Sequence, residues 1–366
     1  MRTAFTSSPL TLLAAMLGAT LGAGCGDVTP LATTDVPERV DDREHVQLTG
    51  IAAEELPAIE PLGPPYPIIL VHGFSGFTDL GPMEYFFGIK ELYEAQGADV
   101  TTPALPPYND PAERARVLAD VIDQTLSRTN KAKVHLIGHS QGGIDSRVVI
   151  AELGYARSIA SFTSISTPHD GTEVATLADA APEGVLNPAG QFLAWAFGLL
   201  EGSPPDEAAW ANEDSEDAWE PDMVAAVRAL TPDAMRALRA RAPIPTSVPF
   251  FTIAGVSNLR SLDNADCAAS LWPRPDRVDA IDPFLLASGA YLSFTDGGNV
   301  ENPTPNDGLV TARSARDPQS TFLGCVPADH LDEVGLIADL TSGLVSGFDH
   351  EEMFLRLLDQ IRSVEQ

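Results

Sequence analysis

The chain has 366 residues, three cysteines and a formal net charge of −30 at pH 7, with 52 acidic against 22 basic side chains. So acidic a surface, carrying only the lysines Lys90, Lys131 and Lys133, argues against nucleic acid as a partner and for a soluble fold. The length accommodates one α/β domain built around one sheet.

At the start of the chain, Arg2, the apolar stretch Leu10–Leu21 and Gly22-Ala23-Gly24-Cys25 have the form of a bacterial secretory signal over residues 1–25. The segment is too short for a secure membrane span. Cys25 is a candidate for lipidation as the first residue of a mature lipoprotein; the alternative is cleavage nearby and free secretion. Either outcome implies export, secreted or lipid-anchored at the outer membrane or periplasm. The two cysteines left, Cys267 and Cys325, are expected to pair in an exported protein. Residues 26–65 are rich in Pro, Asp, Glu and Thr without a sustained apolar period and read as a linker.

The folded domain is expected over 66–366. Pro67–Val71 is an apolar run of strand length that breaks into the loop His72-Gly73-Phe74-Ser75-Gly76. Apolar residues at helical spacing predict a helix over Met83–Gln96, followed by a strand at Ala98–Thr102 and a helix opening at Pro111. Val134–Gly143, VHLIGHSQGG, then places Ser140 between Gly138 and Gly142, where a buried strand turns sharply into a helix. This is the pattern of a nucleophile elbow, with the helix behind it read as Ile144–Leu153. Ile159–Ile165 and Pro249–Ala254 read as further strands. Alternating strands and helices indicate an α/β fold with a mostly parallel sheet covered on both faces, and the serine elbow within it is the one expected of an α/β-hydrolase fold. Residues 172–245 lack an obvious strand and read as a helical lid or cap insertion. Within it Asn187–Leu200 is more apolar than a surface helix requires, which suits either a lid facing lipid or a helix packed in the core.

A serine hydroxyl needs an imidazole to accept its proton and a carboxylate to orient that imidazole. With the order Ser, acid, His, the histidine candidates are His330, in ADHLDE, and His350, which stands just before the last predicted helix and can serve as its cap. His330 is preferred. Asp307, in NDGLV, is the chosen acid because a carboxylate on a glycine-marked loop after a sheet strand can reach a histidine on the next loop, with a simple Asx turn as the alternative for that residue. The oxyanion donors are expected to be the backbone N–H groups of Gln141 and Phe74.

Taken together, YPIILVHGFSGF, EYFFGIKELYEAQGADV, GHSQGG, STPHDG, NDGLV and HLDEV resemble, in order, the calcium-dependent bacterial triacylglycerol lipases of the Pseudomonas and Burkholderia type over most of residues 66–340. The resemblance implies an exported serine hydrolase acting on triacylglycerols or other acyl esters at a lipid–water interface, with Ser140, Asp307 and His330 as its triad. It also implies a structural calcium ion and no organic cofactor. The calcium ligands would be the carboxylates of Asp332 and Asp282, with Asp279 in reserve, and the carbonyls of Leu336 and Leu340. A glutamine common at the first carbonyl position is Leu336 here. The family's disulfide usually ends six residues after the acid, where Arg313 stands, so a Cys267–Cys325 bridge would be re-routed. Some relatives need a membrane-bound folding chaperone for secretion. Short-chain carboxylesterase or polyester depolymerase activity is the nearest alternative, and an inactive surface lipid-binding protein a remote one.

Overall fold

The computed structural model describes residues 64–74, 79–80, 83–180, 222–259, 265–267, 280–283, 285–336 and 348–364, all within the unit Pro61–Gln366. The secretory leader, Cys25 and the apolar stretch Asn187–Leu200 lie outside the described residues, as does all but the end of the acidic linker.

Eight strands are described: β1 (Ile68–Val71), β2 (Asp79–Leu80), β3 (Met83–Glu84), β4 (Val100–Thr101), β5 (Val134–His139), β6 (Ile159–Ile165), β7 (Phe250–Gly255) and β8 (Thr321–Val326). Six of them form one sheet in the order β4-β1-β5-β6-β7-β8, every pairing parallel, while β2 and β3 form a small antiparallel pair. The helices are α1 (Ile89–Ala95), α2 (Pro111–Thr129), α3 (Gln141–Ala151), α4 (Glu173–Asp179), α5 (Met223–Ala229), α6 (Pro232–Arg241), α7 (Leu286–Leu292) and α8 (His350–Val364). Among the described residues no helix is long and apolar enough to cross a membrane.

The central strands β1, β5, β6 and β7 are buried at every position, and β1 is apolar at each of them. Ile68 and Leu70 of β1 face a layer containing Ile89, Tyr93, Phe354 and Leu358, whereas Ile69 and Val71 face Leu118, Ile122 and Val148. Each fully buried aliphatic side chain contributes about 1.5–3 kcal/mol relative to exposure. This two-sided burial is what a parallel sheet requires.

Several expected boundaries shift. The helix predicted from Met83 begins only at Ile89, because Gly88 sits at φ 69° and Met83–Glu84 pairs with Asp79–Leu80 instead. Tyr85 and Phe86 are buried all the same, so their spacing reported burial and not helicity. The helix behind Ser140 starts at Gln141, three residues before the expected Ile144. Strand β8 was not foreseen: Thr321 is exposed, and Gly324 at φ 121° interrupts its register with β7. The region expected to be wholly lid contains α4, α5 and α6 at its ends, and residues 181–221 between them are outside the described set.

Helix α3 meets β1 at unusually close range. A Cβ placed on Gly142 would lie 2.2 Å from the Val71 carbonyl oxygen, so only glycine permits the elbow helix to seat there. Gly142→Ala is expected to lower stability by about 1–3 kcal/mol, the usual cost of overpacking, read as a shift in the urea midpoint. An unchanged midpoint would show that the strand–helix approach does not demand glycine.

Candidate active site

The chain leaves β1 toward β4 on one side and later enters β5 on the other, so the loops following β1 and β5 diverge. Such a switch point opens a crevice at the carboxyl ends of parallel strands. Ser140 stands at that end of β5 as the residue preceding α3, held at φ 54° and ψ −127°. A non-glycine residue in this region costs on the order of 1–3 kcal/mol and persists only where the surroundings enforce it. Here Ser140 N–H donates to the Ile165 carbonyl at 3.0 Å and its own carbonyl accepts from Gly143 N–H at 3.1 Å.

His330 lies four residues beyond the end of β8, and Asp307 stands between α7 and β8. The acid therefore does not directly follow a sheet strand, as its choice from sequence assumed. The structure nevertheless brings the two together: His330 Nδ1 and Asp307 Oδ2 are 2.8 Å apart, and His330 N–H donates to the Asp307 carbonyl at 3.0 Å. Asp307 Oδ1 accepts from the N–H groups of Leu309 at 2.8 Å and Val310 at 2.7 Å, so the Asx turn weighed as the alternative exists and orients the carboxylate. A carboxylate can only accept, which puts the imidazole proton on Nδ1 and leaves Nε2 with its lone pair. Ser140 and His330 line one cavity of about 70 Å³, walled mostly by apolar side chains that include Phe74, Val174, Val227 and Leu309. His350 is elsewhere, its Nε2 3.0 Å from the Phe87 carbonyl oxygen.

A buried polar cluster adjoins His330 that sequence reasoning did not find. The His139 ring is centred 4.5 Å from that of His330, and its Nδ1 is 2.7 Å from the Tyr85 hydroxyl. Glu333 Oε2 lies 3.2 Å from His139 Nε2 without the alignment of a hydrogen bond. Its other oxygen accepts from the Ser166 hydroxyl at 2.6 Å. Burial, and then the charge of Asp307, pushes the Glu333 carboxyl well above the usual range. Burial, and then His330, holds His139 well below the usual imidazole value. Both shifts favour the uncharged forms. The only sequence signal was Glu333 falling three residues after His330. His139, His330 and Glu333 are also close enough together to hold a metal ion, but two imidazoles and one carboxylate do not match the oxygen-rich shell of calcium.

Of the residues that the resemblance assigned to calcium, Asp282, Asp332 and Leu336 lie beside this cluster. Asp329 Oδ2 accepts from Asp282 N–H at 2.6 Å, and its Oδ1 accepts from Leu331 N–H at 2.9 Å and Asp332 N–H at 3.0 Å. One buried carboxylate thus draws the backbones of Asp282 and Asp332 to the same place, and these residues supply the hard oxygen donors that calcium prefers. Leu336 closes the following turn, its N–H donating to the Leu331 carbonyl at 3.1 Å. Leu340 and Asp279 are outside the described residues. Cys267 and Cys325 are joined as a disulfide that ties the turn Ala265–Cys267 to β8.

The model of the alpha/beta hydrolase family matches residues 68–330. A triacylglycerol lipase of Pseudomonas fragi is 41% identical over 110 residues, 30% of this chain and 37% of that protein, so this match spans little more than a third of the relative. A triacylglycerol lipase of Vibrio cholerae is 32% identical over 276 residues, covering 74% of this chain and 79% of the relative. Among solved structures, the Staphylococcus hyicus lipase superposes with a TM-score of 0.56 at 17% identity, covering 86% of this chain and 99% of the other. The mature Bacillus licheniformis lipase gives 0.54 at 22% identity, covering 81% and 93%. At such identities the structural likeness speaks for the fold alone. The parallel sheet, the elbow at its centre and the family match over 68–330 show that the chain belongs to the alpha/beta hydrolase family.

Proposed function

We propose that the protein is an exported serine hydrolase that cleaves carboxylic ester bonds, with triacylglycerols or other water-insoluble acyl esters as its substrates. The single observation that carries this reading is an apolar cavity whose polar edge consists of a strained serine and a histidine bonded to a buried carboxylate. The triacylglycerol lipases among its relatives support the choice of substrate class. The leader-like first 25 residues support export.

In this reading Ser140 Oγ attacks the ester carbonyl carbon while His330 Nε2 takes its proton, and Asp307 holds the resulting imidazolium. The N–H groups of Phe74 and Gln141 donate to the oxyanion as it forms. Collapse of the tetrahedral intermediate breaks the bond to the alcohol, which leaves with the proton from His330. Water then gives a proton to His330 and attacks the acyl-serine, and the same proton returns to Ser140 as the fatty acid departs. The apolar walls suit an acyl chain. Calcium, held by Asp282, Asp332 and the carbonyls of Leu336 and Leu340, would supply cross-linking of the segment that carries His330.

Ser140→Ala is expected to reduce turnover of a p-nitrophenyl ester by a factor on the order of 10⁶, and Asp307→Asn by about 10⁴. Undiminished turnover in Ser140→Ala would refute the assignment. Activity on triacylglycerol emulsions is expected to rise above the solubility limit of the substrate; simple saturation on monomeric short esters would instead identify an esterase. Chelation of calcium is expected to lower the melting temperature by several degrees, and Asp332→Ala to do the same without chelator. A melting temperature indifferent to both treatments would remove calcium from the account.

A further inference from the structure

Arg114, on α2, is fully buried in the protein interior. Its Nε donates to Asp145 Oδ2 on α3 at 2.7 Å, and Nη1 donates to the Pro106 carbonyl. Nη2 reaches the carbonyl oxygens of His72 at 2.7 Å and Gly73 at 3.3 Å, in the loop after β1. One guanidinium therefore ties together the two segments that carry the oxyanion donors: the loop with Phe74 and the helix that begins with Gln141.

The direction of these bonds matters. In a trans peptide the C=O of one residue and the N–H of the next point opposite ways, and the described residues contain no cis peptide bond. Fixing the Gly73 carbonyl on Arg114 turns the Phe74 N–H of the same peptide plane away from Arg114. A second donor reinforces the setting. Leu105 N–H donates to His72 Nε2 at 3.0 Å, which places the imidazole proton on Nδ1, 3.0 Å from the Gly73 carbonyl oxygen. Burial, and then the charge of Arg114, lowers the His72 pKa to about 3, so this tautomer persists through the neutral range. The loop also presses on the nucleophile: a Cβ on Gly73 would lie 2.7 Å from Ser140 Cβ. Among the described residues neither the Phe74 N–H nor the Gln141 N–H donates to a loop or turn carbonyl.

We propose that Arg114, seconded by His72, is a positioning residue of the oxyanion hole, setting the Phe74 N–H relative to the Gln141 N–H and Ser140. This rests on the serine-hydrolase reading given above. A buried arginine serving stability alone would show no preference for the carbonyls that orient one donor and the carboxylate that anchors the other. Arg114 touches neither substrate nor reacting atoms, and its effect falls on the tetrahedral state more than on the bound ester.

The test is Arg114→Lys, which keeps a positive charge near Asp145 but cannot reach all three carbonyls. With a soluble p-nitrophenyl ester, kcat is expected to fall on the order of 10- to 100-fold while KM stays within about twofold. Inhibition by a trifluoromethyl ketone, whose serine adduct carries the oxyanion, is expected to weaken by the same factor as kcat. An unchanged kcat, or a lost kcat with undiminished ketone affinity, would overturn the proposal. Should Arg114→Lys fail to melt cooperatively, His72→Gln carries the same test. It keeps an acceptor for Leu105 N–H but withdraws the Nδ1 donor, and is expected to lower kcat and ketone affinity together by about 3- to 10-fold. Turnover in Ser140→Ala separates the two levels. If that variant remains active the underlying reading fails, whereas an inactive Ser140→Ala beside a fully active Arg114→Lys defeats only the role of Arg114.

Discussion

A serine fixed at φ 54° between β5 and α3 is the constraint on which the rest of the arrangement depends. Left alone, that backbone would relax. It is held because β5 is hydrogen-bonded on both sides, to β1 and β6, and because α3 packs so closely on β1 that position 142 has room for no side chain. The apolar residues of both layers stabilise the sheet, and the sheet in turn makes the strained turn rigid. Packing energy gathered over the whole domain is thereby expressed as the orientation of one hydroxyl group.

The second requirement is electrostatic. An imidazole that must accept a proton needs one carboxylate in a fixed place, and competing negative charge nearby would disturb it. Asp307 is fixed by two backbone N–H groups on one oxygen and by His330 on the other. Burial, and then the charge of Asp307, favours the protonated form of Glu333, which is also buried beside His330. In the uncharged forms that burial favours, Glu333 and His139 fill the space behind His330 without adding charge. Arg114 and Asp145 form a separate, fully buried pair between α2 and α3.

How much of this could be read from the sequence depended on whether the signal was local. Strand β6 was legible to the residue, since IASFTSI has strand length and ends at the turn-forming Ser166-Thr167-Pro168, although Ser161, Thr163 and Ser164 interrupt its apolar positions. The elbow was legible because glycine spacing and strand context coincide within ten residues. Ser140, Asp307 and His330 could be named from motif and chain order, although the expectation that Asp307 directly follows a strand failed, because the strand preceding His330 is β8 and its exposed start disguised it. Beyond the cysteine pair and the residues named from motifs, contacts between distant residues left no trace. Ser166 and Glu333 meet across 167 positions, and Arg114 reaches back 42 positions to His72. Arg114 lies on α2, and only the packed structure reveals the carbonyls and carboxylate that make its burial tolerable.

The claim that matters most is that an acyl group passes through Ser140. It can be tested by mixing the protein with a p-nitrophenyl ester, quenching in acid within the first turnover, and mapping the digested protein by mass spectrometry. The account predicts the mass of one acyl group on the peptide that contains Ser140, appearing with a burst of p-nitrophenol and disappearing as the substrate is exhausted. Hydrolysis at full rate with no adduct on that peptide, or an adduct confined to another residue, would contradict it.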